Sequence, residues 1–303
     1  MKKRELVIFS AVMILLLVSL ASASIFSDLW GKITGKATSG TASVNITLGN
    51  TAPTVPFVSA IAAQDPTIGG TTNITFNYTA SDIDGMSNIN NATAAAYFNM
   101  TGETTRSNAS CIPRNASGTS ITFTCTISMW YFDKNGAWTI NATIQDINSA
   151  YGENSTTTFT YNSLTAMVMA PTSLTWPAIG VAATNTGSNN DPITVNNSGN
   201  APSLSINVTA LNLRGETTTT QFIYAANFTV DNITEGCSGT AMANATSTNV
   251  TNANLGRGNN SLNYNNQTSG QEQIFFCLKG VLPSLSSQSY SSAAYGPWTV
   301  AVQ

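Results

Sequence analysis

Asn73-Ile74-Thr75-Phe76-Asn77-Tyr78-Thr79-Ala80 is the stretch of sequence from which the fold can be inferred. Side chains of a β-strand alternate between two faces, so Ile74, Phe76 and Tyr78 point one way and the asparagines and threonines the other. The first set predicts a buried face and the second a solvated face. We therefore predict that residues 73–80 form one strand of an antiparallel sandwich.

The polar face of this strand also carries two successive Asn-x-Thr sequons, which accept N-linked sugar in exported proteins. The same combination of alternating apolar residues and an opposite-facing sequon recurs at residues 44–48, 138–144, 204–209 and 222–230. The whole chain contains 17 Asn-x-Ser/Thr sequons, roughly twice the number that chance gives for this composition. Accidental sequons in an Asn-, Ser- and Thr-rich chain are the alternative, and the excess favours true acceptors. The sequon asparagines are Asn45, Asn73, Asn77, Asn91, Asn99, Asn108, Asn115, Asn141, Asn154, Asn196, Asn207, Asn227, Asn232, Asn244, Asn249, Asn259 and Asn266.

The composition is unusual for a soluble intracellular protein, because only 8% of the 303 residues are charged while 42% are hydrophobic. Solubility must then come from Ser, Thr and Asn, or from sugars attached to them. The formal net charge is −3, and without residues 1–23 it becomes −5, from 8 basic and 13 acidic residues. The chain has no basic patch, which argues against nucleic-acid binding.

Catalytic chemistry is poorly represented in the sequence. The chain has no histidine, so the commonest general base and the commonest neutral metal ligand are both missing. Only carboxylate pairs remain as candidate catalytic groups, and none stands in a convincing setting. We predict that the protein is not an enzyme; a glycan-processing activity would need two carboxylates roughly 5–10 Å apart in one cleft.

Residues 1–23 are predicted to be a secretory signal peptide. Lys2, Lys3 and Arg4 precede an apolar run at residues 6–20, and Ala-Ser-Ala at 21–23 matches a cleavage site. An uncleaved anchor is the alternative, but the run is shorter than the roughly 20 residues that span a bilayer. No second apolar run follows, so we expect a mature chain without a permanent membrane span, secreted or held at the cell surface or envelope.

After a flexible lead-in at residues 24–40, residues 41–163 are predicted to form an immunoglobulin-like β-sandwich. Trp130, Phe132 and Trp138 are expected to fill the space between its sheets. The predicted strands, separated by Gly- and Asn-rich turns, lie at residues 43–48, 57–62, 73–80, 94–100, 121–128, 138–145 and 156–161.

Residues 164–303 are predicted to form a second β-sandwich, so that the fold class is all-β with two tandem domains. This domain carries a long polar insertion at about residues 236–270, which suits a binding surface or a solvated loop. Its predicted strands lie at residues 173–176, 192–195, 203–211, 221–230, 273–279 and 297–302.

The four cysteines of the chain, Cys111, Cys125, Cys237 and Cys277, indicate disulfides in an exported protein. Three pairings are possible, and the domain boundaries select Cys111–Cys125 and Cys237–Cys277. A zinc site with four thiolates is the alternative, but the sequence lacks a Cys-x-x-Cys spacing.

Calcium is the only metal for which the sequence offers ligands, and we predict no other cofactor. Asp82, Asp84, Asp133 and Asp146 lie in turn sequences and could supply oxygen ligands between sandwich strands. The alternative is that Asp-Gly and Asn-Gly simply make hairpin turns. No stretch completes a twelve-residue calcium loop with its terminal Glu.

Two stretches carry a family resemblance. Residues 33–40 (ITGKATSG) followed by 44–53 (VNITLGNTAP) resemble the start of exported surface proteins in small-genome archaea, and residues 80–85 (ASDIDG) are similar to a turn in bacterial and archaeal immunoglobulin-like surface domains. The resemblance implies a secreted surface-layer or appendage glycoprotein that is glycosylated by an archaeal pathway. It carries over no catalytic residue, and a pilin fits poorly because Ala-Ser-Ala follows the apolar run.

The function expected from these features is that of a structural cell-surface glycoprotein, a subunit of a surface layer or filament that associates with itself or with other envelope proteins. If filaments form, residues 37–50 are a candidate strand for insertion into a neighbour's sheet. The alternative is an adhesin or carbohydrate-binding module that uses Tyr264, Tyr290 and Tyr295 as stacking surfaces.

Overall fold

The structure is a computed structural model, which describes residues 42–234, 236–258 and 270–303. In these ranges the protein is all-β, with two short 3-10 turns at Met86–Asn88 and Ala225–Asn227 and no α-helix. None of the described residues belongs to a helix long and apolar enough to cross a membrane. The predicted signal peptide and lead-in, residues 1–23 and 24–40, lie outside the described residues.

Two four-stranded antiparallel sheets form the first sandwich, with strand orders β1-β2-β6-β5 and β4-β3-β7-β8. This arrangement is consistent with the immunoglobulin-like order, in which strands A, B, E and D form one sheet and C, F and G the other. The strands are β1 (Thr54–Val58), β2 (Thr71–Ser81), β3 (Ile89–Asn99), β4 (Arg106–Asn108), β5 (Ile112–Ser117), β6 (Ser120–Trp130), β7 (Gly136–Asp146) and β8 (Tyr151–Tyr161).

Alternation along β2 and β7 builds the core of the first sandwich. Ile74, Phe76 and Tyr78 are at most 3% exposed, while the polar residues between them are exposed. On β7, Trp138 and Ile140 are fully buried. β2 pairs with β6 without a register shift from Thr71↔Trp130 to Ser81↔Ser120, so every second residue of both strands faces the core. The predicted faces of β2 are confirmed, whereas on β7 Thr143, expected on the solvated face, is 5% exposed.

The second sandwich consists of shorter strands around a separate core. Its main sheet has the order β16-β15-β18-β11-β9, with β10 also paired to β18, and two three-stranded sheets have the orders β17-β12-β20 and β14-β13-β19. The strands are β9 (Met167–Ala170), β10 (Thr184–Gly187), β11 (Ile193–Asn197), β12 (Ile206–Thr209), β13 (Leu213–Gly215), β14 (Phe222–Ile223), β15 (Phe228–Asp231), β16 (Thr240–Ala241), β17 (Ser247–Asn249), β18 (Gln271–Gly280), β19 (Tyr290–Ser291) and β20 (Thr299–Val302).

Three predicted strands are wrong. Residues 43–48 form no strand, because no neighbouring edge pairs with them among the described residues. Residues 173–176 are also irregular. The run at 221–230 is split by a 3-10 turn, which leaves Ala225 fully buried and Tyr224 49% exposed, so the alternation does not persist through the turn.

Two expectations about side-chain placement also fail. Trp130 was expected between the sheets, but it is 37% exposed and stacks on Phe132 outside the core cluster, with ring centroids 5.6 Å apart. On β12, Asn207 was expected on a solvated face, but it is only 8% exposed between Ile206 and Val208, which are fully buried. β12 is the middle strand of its sheet, and both of its faces are covered.

The two cores lie one in each of the predicted ranges 41–163 and 164–303, yet residues 50–303 form one compact unit. Their junction is built by the turn after β11, where Asn200 is fully buried. Asn200 Oδ1 accepts the backbone N–H of Leu164 at 2.7 Å, and its Nδ2 donates to the carbonyl oxygens of Asp133 and Asn162 at 3.0 and 2.9 Å. One amide thus joins the end of the first sandwich to the start of the second.

Candidate functional site

The outer face of β2 and β6 is polar and uncharged, and two sequon amides are held on it. Ser128 donates to Asn73 Oδ1 at 2.6 Å, and Thr124 donates to Asn77 Oδ1 at 2.7 Å. These contacts fix the amide oxygens and leave both Nδ2 atoms, the atoms to which sugar is attached, without a partner among the described residues. Two hydroxyl pairs on the same face are Thr75 with Thr126 at 2.8 Å and Thr79 with Thr122 at 3.2 Å.

The sequon asparagines differ in accessibility. Asn207 is buried, and its Nδ2 lies in the interior without a hydrogen-bond partner among the described residues. The exposed asparagines are Asn45, Asn73, Asn77, Asn91, Asn115, Asn244 and Asn249, and the half-buried ones are Asn99, Asn108, Asn141, Asn154, Asn196, Asn227 and Asn232. Asn259 and Asn266 lie outside the described residues.

Both predicted disulfides are present. Cys111, just before β5, is bonded to Cys125 in the middle of β6, with Cα atoms 4.6 Å apart. Cys237 is bonded to Cys277 on β18, with Cα atoms 5.2 Å apart. The second bond ties the start of the polar insertion to the main sheet, as the pairing within each domain predicted.

Three of the four calcium candidates lie at one end of the first sandwich. Asp82 and Asp146 are both 1% exposed, and two amides bridge them. Asn88 Nδ2 contacts Asp82 Oδ2 at 3.2 Å and Asn50 Oδ1 at 3.0 Å, and Asn50 Nδ2 donates to Asp146 Oδ2 at 2.6 Å. Asp84 lies on the same turn, where its Oδ2 accepts the N–H of Thr51 at 2.7 Å. These carboxylates are bound by N–H donors, which occupy the oxygens that a cation would use.

The electrostatics of this turn follow from those donors. The hydrogen bond from Asn50, together with those from the backbone of Ala150 and Asn148, lowers the pKa of Asp146 although burial opposes the shift. Among the described residues, no group of three or more Cys, Asp or Glu side chains is arranged to hold a metal ion. The turn is therefore a hydrogen-bonded closure of the sandwich in this structure.

Asp133, the fourth candidate, lies at the opposite end of the sandwich. Arg106 Nε donates to both carboxylate oxygens of Asp133, at 3.0 and 2.9 Å, and Arg106 Nη2 binds one of them as well. Asp133 Oδ2 also accepts the N–H of Trp130 at 2.7 Å. The sequence grouped Asp133 with the other aspartates, whereas the structure pairs it with an arginine.

A largely apolar cavity of about 1000 Å³ lies in the second sandwich. It lies beside the core of the second sandwich. Residues 172–181, which form no strand, contribute to its lining. Its deeper wall contains the rings of Trp176, Phe228 and Trp298, with centroid distances of 5.2 Å from Phe228 to Trp176 and 5.1 Å to Trp298. Both indole N–H groups donate to backbone carbonyls, at 3.1 and 2.8 Å, so their remaining surfaces are apolar.

β20, an edge strand of its sheet, lies beside the cavity. Ser205 and Gln303 exchange both backbone hydrogen bonds, at 2.9 and 3.2 Å, so the alternation of an antiparallel ladder directs the N–H and C=O groups of Val300 and Val302 away from β12. Neither valine has a backbone partner on that outer side in the described part of the chain. Val300 also lines the cavity, whereas no residue of β9, the edge of the main sheet, does so.

Residues 42–49 carry an unpaired strand sequence. Val44, Ile46 and Leu48 are 79%, 77% and 90% exposed, and no backbone pairing involves residues 42–49 within the described ranges. Three apolar side chains at alternate positions and a free backbone are the requirements for adding a strand to a sheet.

A separate aromatic cluster lies on the surface of the second sandwich. Tyr224 and Tyr295 are 49% and 52% exposed on either side of Phe222, with centroid distances of 6.3 and 6.4 Å, and the guanidinium of Arg214 lies 5.9 Å from the Tyr295 ring. Tyr290 is half-buried, and its hydroxyl is bonded to Gln221 and Ser286. Of the three predicted stacking tyrosines, only Tyr295 belongs to this cluster, and Tyr264 lies outside the described residues.

No protein-family model matches the chain, and the search of curated proteins returned no match.

Sequence reasoning missed the cavity, because a strand pattern at residues 173–176 does not show whether the strand finds a partner. A signal was present in the placement of Trp176 and Trp298, since two tryptophans in short apolar runs suggest a wide core. The junction residues Asn200 and Arg257 were also missed. Arg257 is one of only 11 basic residues in the chain, and its position in a polar insertion could have marked it for a specific ion pair.

Proposed function

We propose that this protein is a structural glycoprotein of the cell envelope, a non-enzymatic subunit that assembles through its β-sandwiches into a surface layer or filament. The observation that carries the proposal is the outer face of β2 and β6, where Asn73 and Asn77 are exposed above a buried apolar core and their Nδ2 atoms have no partner in the described part of the chain. Such a face is suited to carry N-linked glycans, which would supply the solubility that a chain with 8% charged residues lacks.

Three further features support a load-bearing role. The strand order of the first sandwich is consistent with an immunoglobulin-like domain, each disulfide ties a residue outside the strands to a sheet strand, and the buried amide of Asn200 ties the two sandwiches together. A secreted protein with a cleaved signal peptide, anchored through other subunits, is the setting in which these features are useful.

Electron cryomicroscopy of native envelopes tests the proposal. We expect an ordered array or fibre whose subunit density fits residues 50–303, with extra density at Asn73 and Asn77. Recovery of the chain only as an unglycosylated, dilute monomer in the medium would contradict it.

A second candidate function, a carbohydrate-binding adhesin, is favoured by the exposed cluster of Phe222, Tyr224 and Tyr295. Aromatic faces beside a cation are suited to stacking on sugar rings and to hydrogen bonding with their hydroxyls. Binding on a glycan array that is lost in Tyr224→Ala and Tyr295→Ala, but kept in Tyr151→Ala, would establish it. Tyr151 is similarly exposed, at 51%, and lies in the first sandwich, which makes it the matched control.

A further inference from the structure

We propose that residues 43–48 of one copy of the chain add as a strand to the free edge of β20 in the next copy, placing Val44, Ile46 and Leu48 in the apolar cavity. The inference rests on the proposed assembly, and it names the partner as a second copy of this chain. The donor has an alternating apolar face and no backbone partner within the described ranges, and the acceptor has outward-directed backbone groups beside a largely apolar cavity.

The sizes of the two parts agree. A cavity of about 150 Å³ is enough to hold one benzene molecule, so three aliphatic side chains of similar size need about 450 Å³. The cavity of about 1000 Å³ accommodates them with room for small adjustments of residues 172–181. Alternate side chains of an added strand point away from the cavity, so the sequon residue Asn45 faces solvent and remains available for glycosylation.

The covalent chain limits how far Leu48 can lie from the first sandwich. Leu48 is two residues from Asn50, a span of at most about 7 Å. Asn50 contacts Asp146 at the end of the first sandwich where β2 finishes, whereas the second sandwich joins the opposite end, where Gly69 donates to Ser198 next to the start of β2. β2 has 11 residues, so these ends are about 33 Å apart.

An intermolecular donor makes the contact heterologous. The donor patch of one copy meets the acceptor patch of the next, so each added copy presents a new free donor and a new free acceptor. An interface of this kind continues head to tail into a filament unless its rotation closes a ring. The hydrogen bonds of the added strand supply affinity, and the three cavity positions supply register.

The test uses the full chain produced in an exporting host, with three variants. Ile46→Asp removes the central donor side chain. Val300→Pro removes an outward-facing N–H of β20 while leaving the N–H groups that pair with β12. Val168→Asp, on the exposed side of β9, is the matched control. Thermal unfolding of each variant shows whether it has folded.

We expect wild type and Val168→Asp to form filaments or rings, and Ile46→Asp and Val300→Pro to remain monomeric while folded. Mixing the two monomeric variants should give a 1:1 heterodimer that grows no further, because one intact donor and one intact acceptor remain. Unchanged assembly of folded Ile46→Asp would overturn the inference, even if the proposed function stands.

A synthetic peptide of residues 41–50 separates the two proposals. The peptide should bind the Ile46→Asp protein at one site. Its affinity for the Val300→Pro protein should be at least about tenfold lower, and a peptide with Asp at position 46 should bind the Ile46→Asp protein at least about tenfold more weakly. Peptide binding without assembly of the wild-type chain would refute the filament function but keep the acceptor site. Assembly without peptide binding would refute the strand addition but keep the filament.

Discussion

Arg257 binds Glu103, 154 positions earlier in the chain, through two hydrogen bonds. Its Nη1 donates to Glu103 Oε2 at 2.8 Å and its Nη2 donates to Glu103 Oε1 at 2.7 Å. Arg257 also donates to the carbonyl oxygen of Phe132 at 2.8 Å. Glu103 and Phe132 belong to the first sandwich and Arg257 to the second. The pair therefore joins the two sandwiches, and the side chains of Glu103 and Arg257 are 11% and 27% exposed.

Replacing Arg257 with Met should lower the free energy of unfolding by about 1–3 kcal/mol, because the nearly buried carboxylate of Glu103 loses its partner. Arg114→Met is the matched control, since Arg114 is exposed and its Nε donates to Thr124 at 3.4 Å within the first sandwich. Urea unfolding followed by tryptophan fluorescence measures both. A loss that is equal in the two variants would contradict a specific role for the junction pair.

Asn200→Ala should destabilise the protein more than Arg257→Met, by about 2–4 kcal/mol, since it leaves one N–H and two carbonyl groups of the junction without their partner. If the junction opens locally, the backbone N–H of Leu164 should exchange faster with solvent, by the factor that corresponds to the same free energy. Asn189→Ala, at an exposed asparagine before β11, is the control. Wild-type exchange at Leu164 in Asn200→Ala would show that the buried amide does not hold the junction.

The first sandwich could be predicted from sequence because its strands are long and each face has one environment. In β2 and β6, which pair over 11 residues, buried and more exposed positions alternate, and a register slip would expose every apolar residue. The short strands β4 and β5 escaped detection, since three to six mostly exposed residues show no alternation.

The remaining errors have non-local causes. Residues 43–48 have the same alternation as β2, yet a strand also needs a free edge to pair with, which no local pattern reveals. The run at 222–230 is interrupted by a 3-10 turn that shifts the buried positions by one residue. Asn200 lies in a polar stretch, Asn-Asn-Ser-Gly-Asn-Ala-Pro, that resembles a solvated turn, and only the docking of the two sandwiches buries it.

The pH dependence of stability should contain a contribution from Glu272, which is 4% exposed and whose pKa is raised by burial above its ordinary value of 4.5. Below pH 4.5 the carboxyl is protonated in both folded and unfolded chains. As the pH rises through the raised pKa, only the unfolded chain ionises without cost, so stability is lost. Glu272→Gln should therefore raise the melting temperature at pH 7 and have little effect at pH 3, with exposed Glu216→Gln as the control.

Asp146 should show the opposite sign, because its hydrogen bonds to Asn50, Ala150 and Asn148 lower its pKa in the folded chain. The stability that it contributes is present above its ordinary pKa of 3.8 and is lost as the pH falls towards the lowered value. Asp146→Asn should thus lower the melting temperature at pH 7, with a difference from wild type that shrinks in acid. Calorimetry from pH 3 to 8 measures both variants, and parallel profiles would contradict the assignment.

Glycan occupancy at Asn73 can be separated from the structure of the face that carries it. Thr75 and Thr126 share one hydroxyl contact of 2.8 Å across β2 and β6, but only Thr75 completes a sequon. In a host that performs N-glycosylation, Thr75→Ala should abolish sugar at Asn73, whereas Thr126→Ala breaks the same contact and should leave occupancy intact. Mass spectrometry of the peptides measures both, with buried Asn207 expected to be unmodified. If Asn73 carries no sugar in the wild type, or loses its sugar in both variants, exposure of the amide in a sequon is not sufficient for glycosylation.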